Sequence, residues 1–276
     1  MISLLLFALA AVPDAGVTCG PVACEVFKTP RAAFEKVLET PMVVLAIGEY
    51  HELEGGPKVA SAISRFTKEL LPAVKGKATS LVLETWMTNG RCGEVEKAAV
   101  AEVKKVTKRP DETEDELTVL LDKSYGLGIA NHILIVACDE YRAMLDEKGK
   151  LDAEKSLRLV RRLVEEKALE VREKGEGGLP GKLVILYGGA IHNDLVPLPD
   201  WAAYSFGPSL TKAIGGGYVE LDLIVPEHGV NDDDLLKEPW FAPAQKLAGT
   251  TRTVLVEMHP NAWAIVFPRK KPAKAK

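Results

Sequence analysis

Apolar residues in this chain gather into short unbroken runs separated by amphipathic stretches. The first run, Met42-Val43-Val44-Leu45-Ala46-Ile47, has no polar member and closes on Gly48-Glu49-Tyr50-His51. Runs of this length and β-branched content suit strands buried on both faces, as in parallel sheets. Gly48 is expected to let the chain turn out of the sheet. With the backbone still extended, Glu49 and His51 point to one side of the strand end. Further buried strands are predicted at residues 80–84, 132–138 and 182–187, and later ones at 201–206, 218–225 and 251–258. Residues 262–267 are expected to pair with the last of these as a hairpin across Pro260-Asn261, which makes the sheet mixed.

Between the strands the spacing turns helical. Ala33, Phe34, Val37 and Leu38 mark a short amphipathic helix over residues 30–39. Val59, Ile63, Phe66, Leu70 and Val74 recur at three or four residues after Pro57, the crossover helix of a βαβ unit. Residues 94–107 and 114–123 are charged helical segments separated at Pro110. They read as a helical insertion spanning about residues 91–131, a subdomain or lid over the strand ends. A helical region over residues 141–174 is broken at Lys148-Gly149-Lys150, and residues 175–181 are a loop by composition. The predicted architecture is α/β: a mostly parallel mixed sheet flanked by helices, in one domain over residues 16–268.

Composition narrows the classes. Of 276 residues, 47% are hydrophobic and 27% charged, the balance of a globular protein. A net charge of -4 and a pI near 5.9 give no expectation of nucleic-acid binding. Only residues 269–276 are basic, a solvated tail. Residues 1–15 begin with an apolar stretch containing Ala8-Leu9-Ala10, the small-x-small pattern of an export signal, and point to a periplasmic or secreted protein. No transmembrane span is expected. Cys19 and Cys24 are read as a disulfide staple; Cys138 is read as a small buried hydrophobe ahead of a bridge to Cys92.

The chemistry lies at the strand ends. Four successive predicted strands stop at Glu49 with His51, at Glu84, at Asp139, and just before His192. Right-handed crossovers bring the same ends of parallel strands to one edge, so these residues converge although they span half the chain. Carboxylates with imidazoles suit a divalent metal, with Glu49, His51, Glu84 and His192 as ligands and an open position for water. The same four groups without metal supply a general base and acid. Asp139 is either a cofactor contact or an ordinary cap for the next helix. The remaining histidines have plainer roles: His259 in a hairpin turn, His228 in an acidic solvated loop, and His132 at the opposite sheet edge. There is no Gly-x-Ser-x-Gly elbow, which argues against a serine hydrolase of the α/β type.

Leu45-Ala46-Ile47-Gly48-Glu49-Tyr50-His51, Leu81-Val82-Leu83-Glu84, and Gly188-Gly189-Ala190-Ile191-His192 with Val196-Pro197 together resemble the erythromycin-esterase/ChaN-like superfamily, to which the Tiki and TraB proteins are also similar. The resemblance covers roughly residues 41–225. It implies an α/β core with a helical subdomain and assigns the functional set to Glu49, His51, Glu84 and His192. The activities it implies diverge: ester hydrolysis, metal-dependent peptide cleavage, or haem binding. The chain is therefore expected to be a hydrolase-like protein acting on a small molecule or peptide, with haem or iron binding by the same edge as the alternative. No lipid-anchor cysteine motif is present and the chain is short for an erythromycin esterase, so neither an anchor nor a macrolide substrate carries over.

Overall fold

A computed structural model describes residues 17–174, 182–230 and 232–270. The proposed export segment, the loop at 175–181 and the last six residues of the basic tail lie outside the described residues. The described chain opens with two strands that the sequence pattern did not announce, β1 (Thr18–Cys19) and β2 (Val22–Phe27), joined by the expected Cys19–Cys24 disulfide. Helix α1 (Pro30–Val37) starts where expected: the Thr29 hydroxyl accepts from Ala32 N–H, and Pro30 occupies the first turn, where its missing donor is harmless.

Strand β3 (Val44–Glu49) is wholly buried. Gly48 stays inside it instead of turning the chain out, a correction with a packing cause. A Cβ there would stand 2.5 Å from Asp222 Oδ1, 2.6 Å from Asn193 Oδ1 and 2.7 Å from Ala190 Cα, so glycine is needed for close approach. The next helix begins at Ser61 and not at Pro57, because the Ser61 hydroxyl caps Ser64 N–H. It runs as α2 (Ala62–Arg65), a π turn (Phe66–Leu70) and a 3-10 turn (Leu71–Val74). Pro72 lacks the N–H that a continuous α-helix requires at that point.

Strand β4 (Ala78–Trp86) leads into the insertion, helices α3 (Glu94–Thr107) and α4 (Glu112–Gly126). Strand β5 (Ala130–Leu134) is shorter than predicted, and Cys138 opens helix α5 (Cys138–Ala143). Cys138 is exposed and bridged to Cys92, so its expected role as a buried hydrophobe is wrong. The bridge ties the start of the insertion to the segment after β5. Long helix α6 (Ala153–Lys174) precedes β6 (Leu183–Gly189), the short helix α7 (Ala190–Asn193) and α8 (Gly207–Ile214). Residues 201–206, predicted as a strand, instead form a turn in which Tyr204 N–H donates to Trp201 O and Ser205 is buried. The chain ends with β7 (Tyr218–Ile224), the short helices α9 (Pro226–Gly229) and α10 (Asp233–Lys237), α11 (Phe241–Ala248), and the predicted hairpin β8 (Thr253–His259) and β9 (Ala262–Val266).

Among the described residues the nine strands make one mixed sheet in the order β1-β2-β8-β9-β7-β3-β6-β4-β5. Strands β9, β7, β3, β6, β4 and β5 are parallel, and β8 runs against β9. The architecture is α/β as expected. Side-chain alternation splits the core. Leu45, Ile47, Ile185, Tyr187 and Leu221 face α1 and the Ser61–Val74 helical stretch, whereas Val44, Ala46, Val184 and Leu186 face α6 and α8. No helix among the described residues is long and apolar enough to cross a membrane.

Candidate functional site

Strand β3 lies between β6 and β7, so its carboxyl end is the middle of the edge where the parallel strands stop. Glu49 and His51 leave that end on one side, as their spacing predicted. Glu49 Oε1 lies 3.1 Å from His51 Nδ1, and Tyr187 at the end of β6 donates its hydroxyl to Glu49 Oε2 at 2.7 Å. Glu49 is only 5% exposed. Burial alone would raise its carboxyl; the Arg109 charge, the His51 contact and the Tyr187 hydroxyl outweigh it and hold the group below its ordinary value. The same burial, with the Glu49 charge beside it, raises the Tyr187 phenol well above its usual range, so it remains a donor.

Arg109 comes from the insertion. It follows Lys108, which ends α3 in the left-handed conformation, and precedes Pro110, which disfavours helix at Arg109. The Lys108 carbonyl accepts from Glu54 N–H at 2.7 Å and holds this corner against the segment after His51. Arg109 Nη2 then donates to Glu49 Oε1 at 2.8 Å, lies 2.8 Å from His51 Nε2, and is in still closer contact with Nδ1. The corner between α3 and α4 thus reaches the end of β3.

Glu84 and His192 approach from the other side of the sheet. Two glycines let them meet the first group. A Cβ on Gly188 would overlap Glu84 Oε2 at 2.1 Å, and one on Gly189 would stand 3.1 Å from His51 Nε2 and 3.9 Å from Glu84 Oε1. Glu84 Oε2 accepts from Gly189 N–H at 2.8 Å. His192 is buried in α7; its Nδ1 donates to Tyr204 O at 2.8 Å, and its Nε2 lies 3.7 Å from Glu84 Oε1. The turn that replaces the predicted strand at 201–206 therefore orients His192. A cavity of about 10 Å³, room for one water, sits against Glu84, Gly188, Gly189 and Asn193.

The four residues Glu49, His51, Glu84 and His192 are therefore brought together. Asp139 is not: it is exposed in the first turn of α5, as a helix-start residue would be, and none of its contacts reaches the site. His228 is buried beside Pro57 and not solvated, and His132 lies within β5 opposite Val82. Arg109 and Tyr187 were missed. Tyr187 was legible as the polar last residue of a predicted strand, and Arg109 as an arginine at the break of a lid.

The opposite face of the same strand end carries a second group. Asp222 is paired in register with Gly48, Glu220 with Ala46, and both strands turn these residues to the face of Tyr50. Oxygens of Asp194, Glu220 and Asp222 come within 4.8 Å of one another. Burial raises all three carboxyls; it pushes Asp194 up to about 6 against the opposing pull of His192. The alternation Glu220-x-Asp222 inside a predicted buried strand was the signal for this group.

No protein-family model matches the chain, and no curated protein matches it. Two solved structures are similar. One, described as the type III effector HopBA1, has a TM-score of 0.46 and 10% identity, over 88% of this chain and 97% of that one. The other, a Bacillus cereus protein, has a TM-score of 0.39 and 11% identity, over 94% and 95% of the two chains. Likeness at this level assigns no activity.

Proposed function

We propose that the chain is an exported, water-activating hydrolase-like protein whose general base is His51, acting on an ester or amide of a small molecule or peptide. The observation that carries this is the Glu49–His51 pair at 3.1 Å, held by Tyr187 and Arg109. A carboxylate beside Nδ1 favours the tautomer with its proton there, in which the Nε2 lone pair faces Gly189 and Arg109 Nη2. A water reaching Nε2 takes the place now held by Arg109 Nη2 and gives its proton to the imidazole as its oxygen attacks the carbonyl. The displaced guanidinium then faces the developing oxyanion. Collapse of the tetrahedral intermediate breaks the bond from carbon to the leaving oxygen or nitrogen, which takes the proton held by the imidazolium; Glu84, fixed by Gly189 N–H and positioned by His192, is the second proton-transfer group on that route.

Of the two chemistries open to these residues, the guanidinium favours the metal-free one. A cation already lies against both Glu49 and His51, where a metal on those two ligands would have to sit. The two disulfides suit an oxidising compartment, in keeping with export. The test is hydrolysis of a panel of chromogenic esters and peptides by the purified protein. His51→Ala is expected to lower turnover by about 100-fold or more. Unchanged activity in a folded protein with both His51 and His192 replaced by Ala sinks the proposal, and a Soret band on haem titration that needs His51 replaces it with haem binding.

A further inference from the structure

Three carboxylates on the Tyr50 face of β3 have no counterpart to the Arg109 that faces Glu49. Glu220 and Asp222 are buried, Asp194 is half-buried, and among the described residues none of the three forms an ion pair with Lys or Arg. The fixed hydrogen bonds of Glu220 and Asp222 use one oxygen each. Glu220 Oε2 accepts from Leu195 N–H, and Asp222 Oδ1 accepts from Asn193 Nδ2 at 3.1 Å. Among the described residues no protein donor reaches Glu220 Oε1 or Asp222 Oδ2.

A fourth oxygen joins them. Asn193 is 2% exposed, and its amide nitrogen donates both to Asp222 Oδ1 and to Ala46 O, at 3.1 and 3.3 Å. Those two bonds fix which end of the amide is oxygen, since a flip would lose both. Asn193 Oδ1 itself accepts from nothing. It presses on Gly48 beside Asp222 Oδ1, the two oxygens standing 2.6 and 2.5 Å from the point a Gly48 Cβ would occupy. A buried acceptor without a donor, set among carboxylates with no Lys or Arg ion pair, calls for a positive partner.

We infer that Asp194, Glu220, Asp222 and the amide oxygen of Asn193 form a binding site for one hard divalent cation, on the opposite face of β3 from Glu49 and His51. All four donors are oxygens, the ligand type of Ca²⁺, Mg²⁺ and Mn²⁺; the absence of imidazole or thiolate in the set disfavours zinc or copper. Waters complete the shell, entering past half-buried Asp194. The ion would tie the end of α7 to β7, and so brace His192 from behind. This inference does not depend on the hydrolytic proposal.

Chelator-treated full-length protein is titrated with Mn²⁺, with binding followed by electron paramagnetic resonance of the free ion and by the thermal unfolding midpoint. One Mn²⁺ per chain and a raised midpoint are expected. Asp222→Asn and Glu220→Gln, which keep the shape and an oxygen to accept the existing hydrogen bonds, should each weaken binding about tenfold or more. His51→Ala should leave it unchanged. Circular dichroism checks each fold, and if one acid variant does not fold the other decides. No Mn²⁺ binding by the parent protein, binding insensitive to the acid variants, or binding lost with His51→Ala overturns the site.

Discussion

The two faces of the β3 carboxyl end handle buried acid in opposite ways. On one, Glu49 is buried with a guanidinium, an imidazole and a phenol hydroxyl around it, and its carboxyl is held below the ordinary value. On the other, Glu220 and Asp222 are as deeply buried with backbone and amide donors only, and their carboxyls are raised. Burial is common to both, so the difference is the compensating charge. The first face is complete within the protein and reads as an acid/base site. The second lacks a cation and reads as a place for one.

Substitutions can break this contrast. The largest effect is expected from Gly48→Ala, whose added methyl meets both Asp222 and Asn193 and the backbone of Ala190, leaving only backbone movement as relief. Overpacking of this kind should destabilise by about 3 kcal/mol in denaturant unfolding. A loss under 1 kcal/mol would mean, at about the level of an ordinary surface change, that the two oxygens do not stand where described. Glu49→Gln should come next. It leaves the Arg109 charge without its carboxylate, and because Arg109 is partly solvated the expected loss is about 2 kcal/mol.

Asp222→Asn, measured in chelator at neutral pH, should move stability by no more than about 1 kcal/mol, toward greater stability, because it removes a buried carboxyl whose charged form has no partner. Destabilisation as large as that of Glu49→Gln would erase the distinction between the faces. The smallest effect is in pH. Glu49 has a folded value below its ordinary 4.5, so the stability it contributes is fully present above that pH and is lost as pH falls through the folded value. Unfolding free energies of Glu49→Gln should therefore slope less steeply than the parent's below about pH 4.5, and equal slopes would show Glu49 to be uncompensated.

Much of the framework was legible because apolar periodicity reports burial directly. Strands β3, β4, β6 and β7 lie within a residue or two of the predicted 42–47, 80–84, 182–187 and 218–225, and Glu49, His51, Glu84 and His192 do share one edge. The errors have particular causes. Trp201 to Phe206 are rich in aromatics, as strands are, yet Ser205 and the carbonyl of Tyr204 are used to hold α7. Gly48 looked like a turn because the residue after it is polar; its real constraint comes from Asp222 and Asn193, far along the chain.

By itself the sequence determined most of the parallel strands, which of their ends carry ionisable groups, and that Glu49 and His51 share a side, since a period of two is a local property of the backbone. Tertiary structure alone decided what those groups meet. Strand order set β6 and β7 on either side of β3, brought Tyr187 to Glu49 and Asp222 to Gly48, and laid Arg109 over the edge. Charge compensation depends on distances between residues remote in sequence, and those distances exist only once the sheet is assembled.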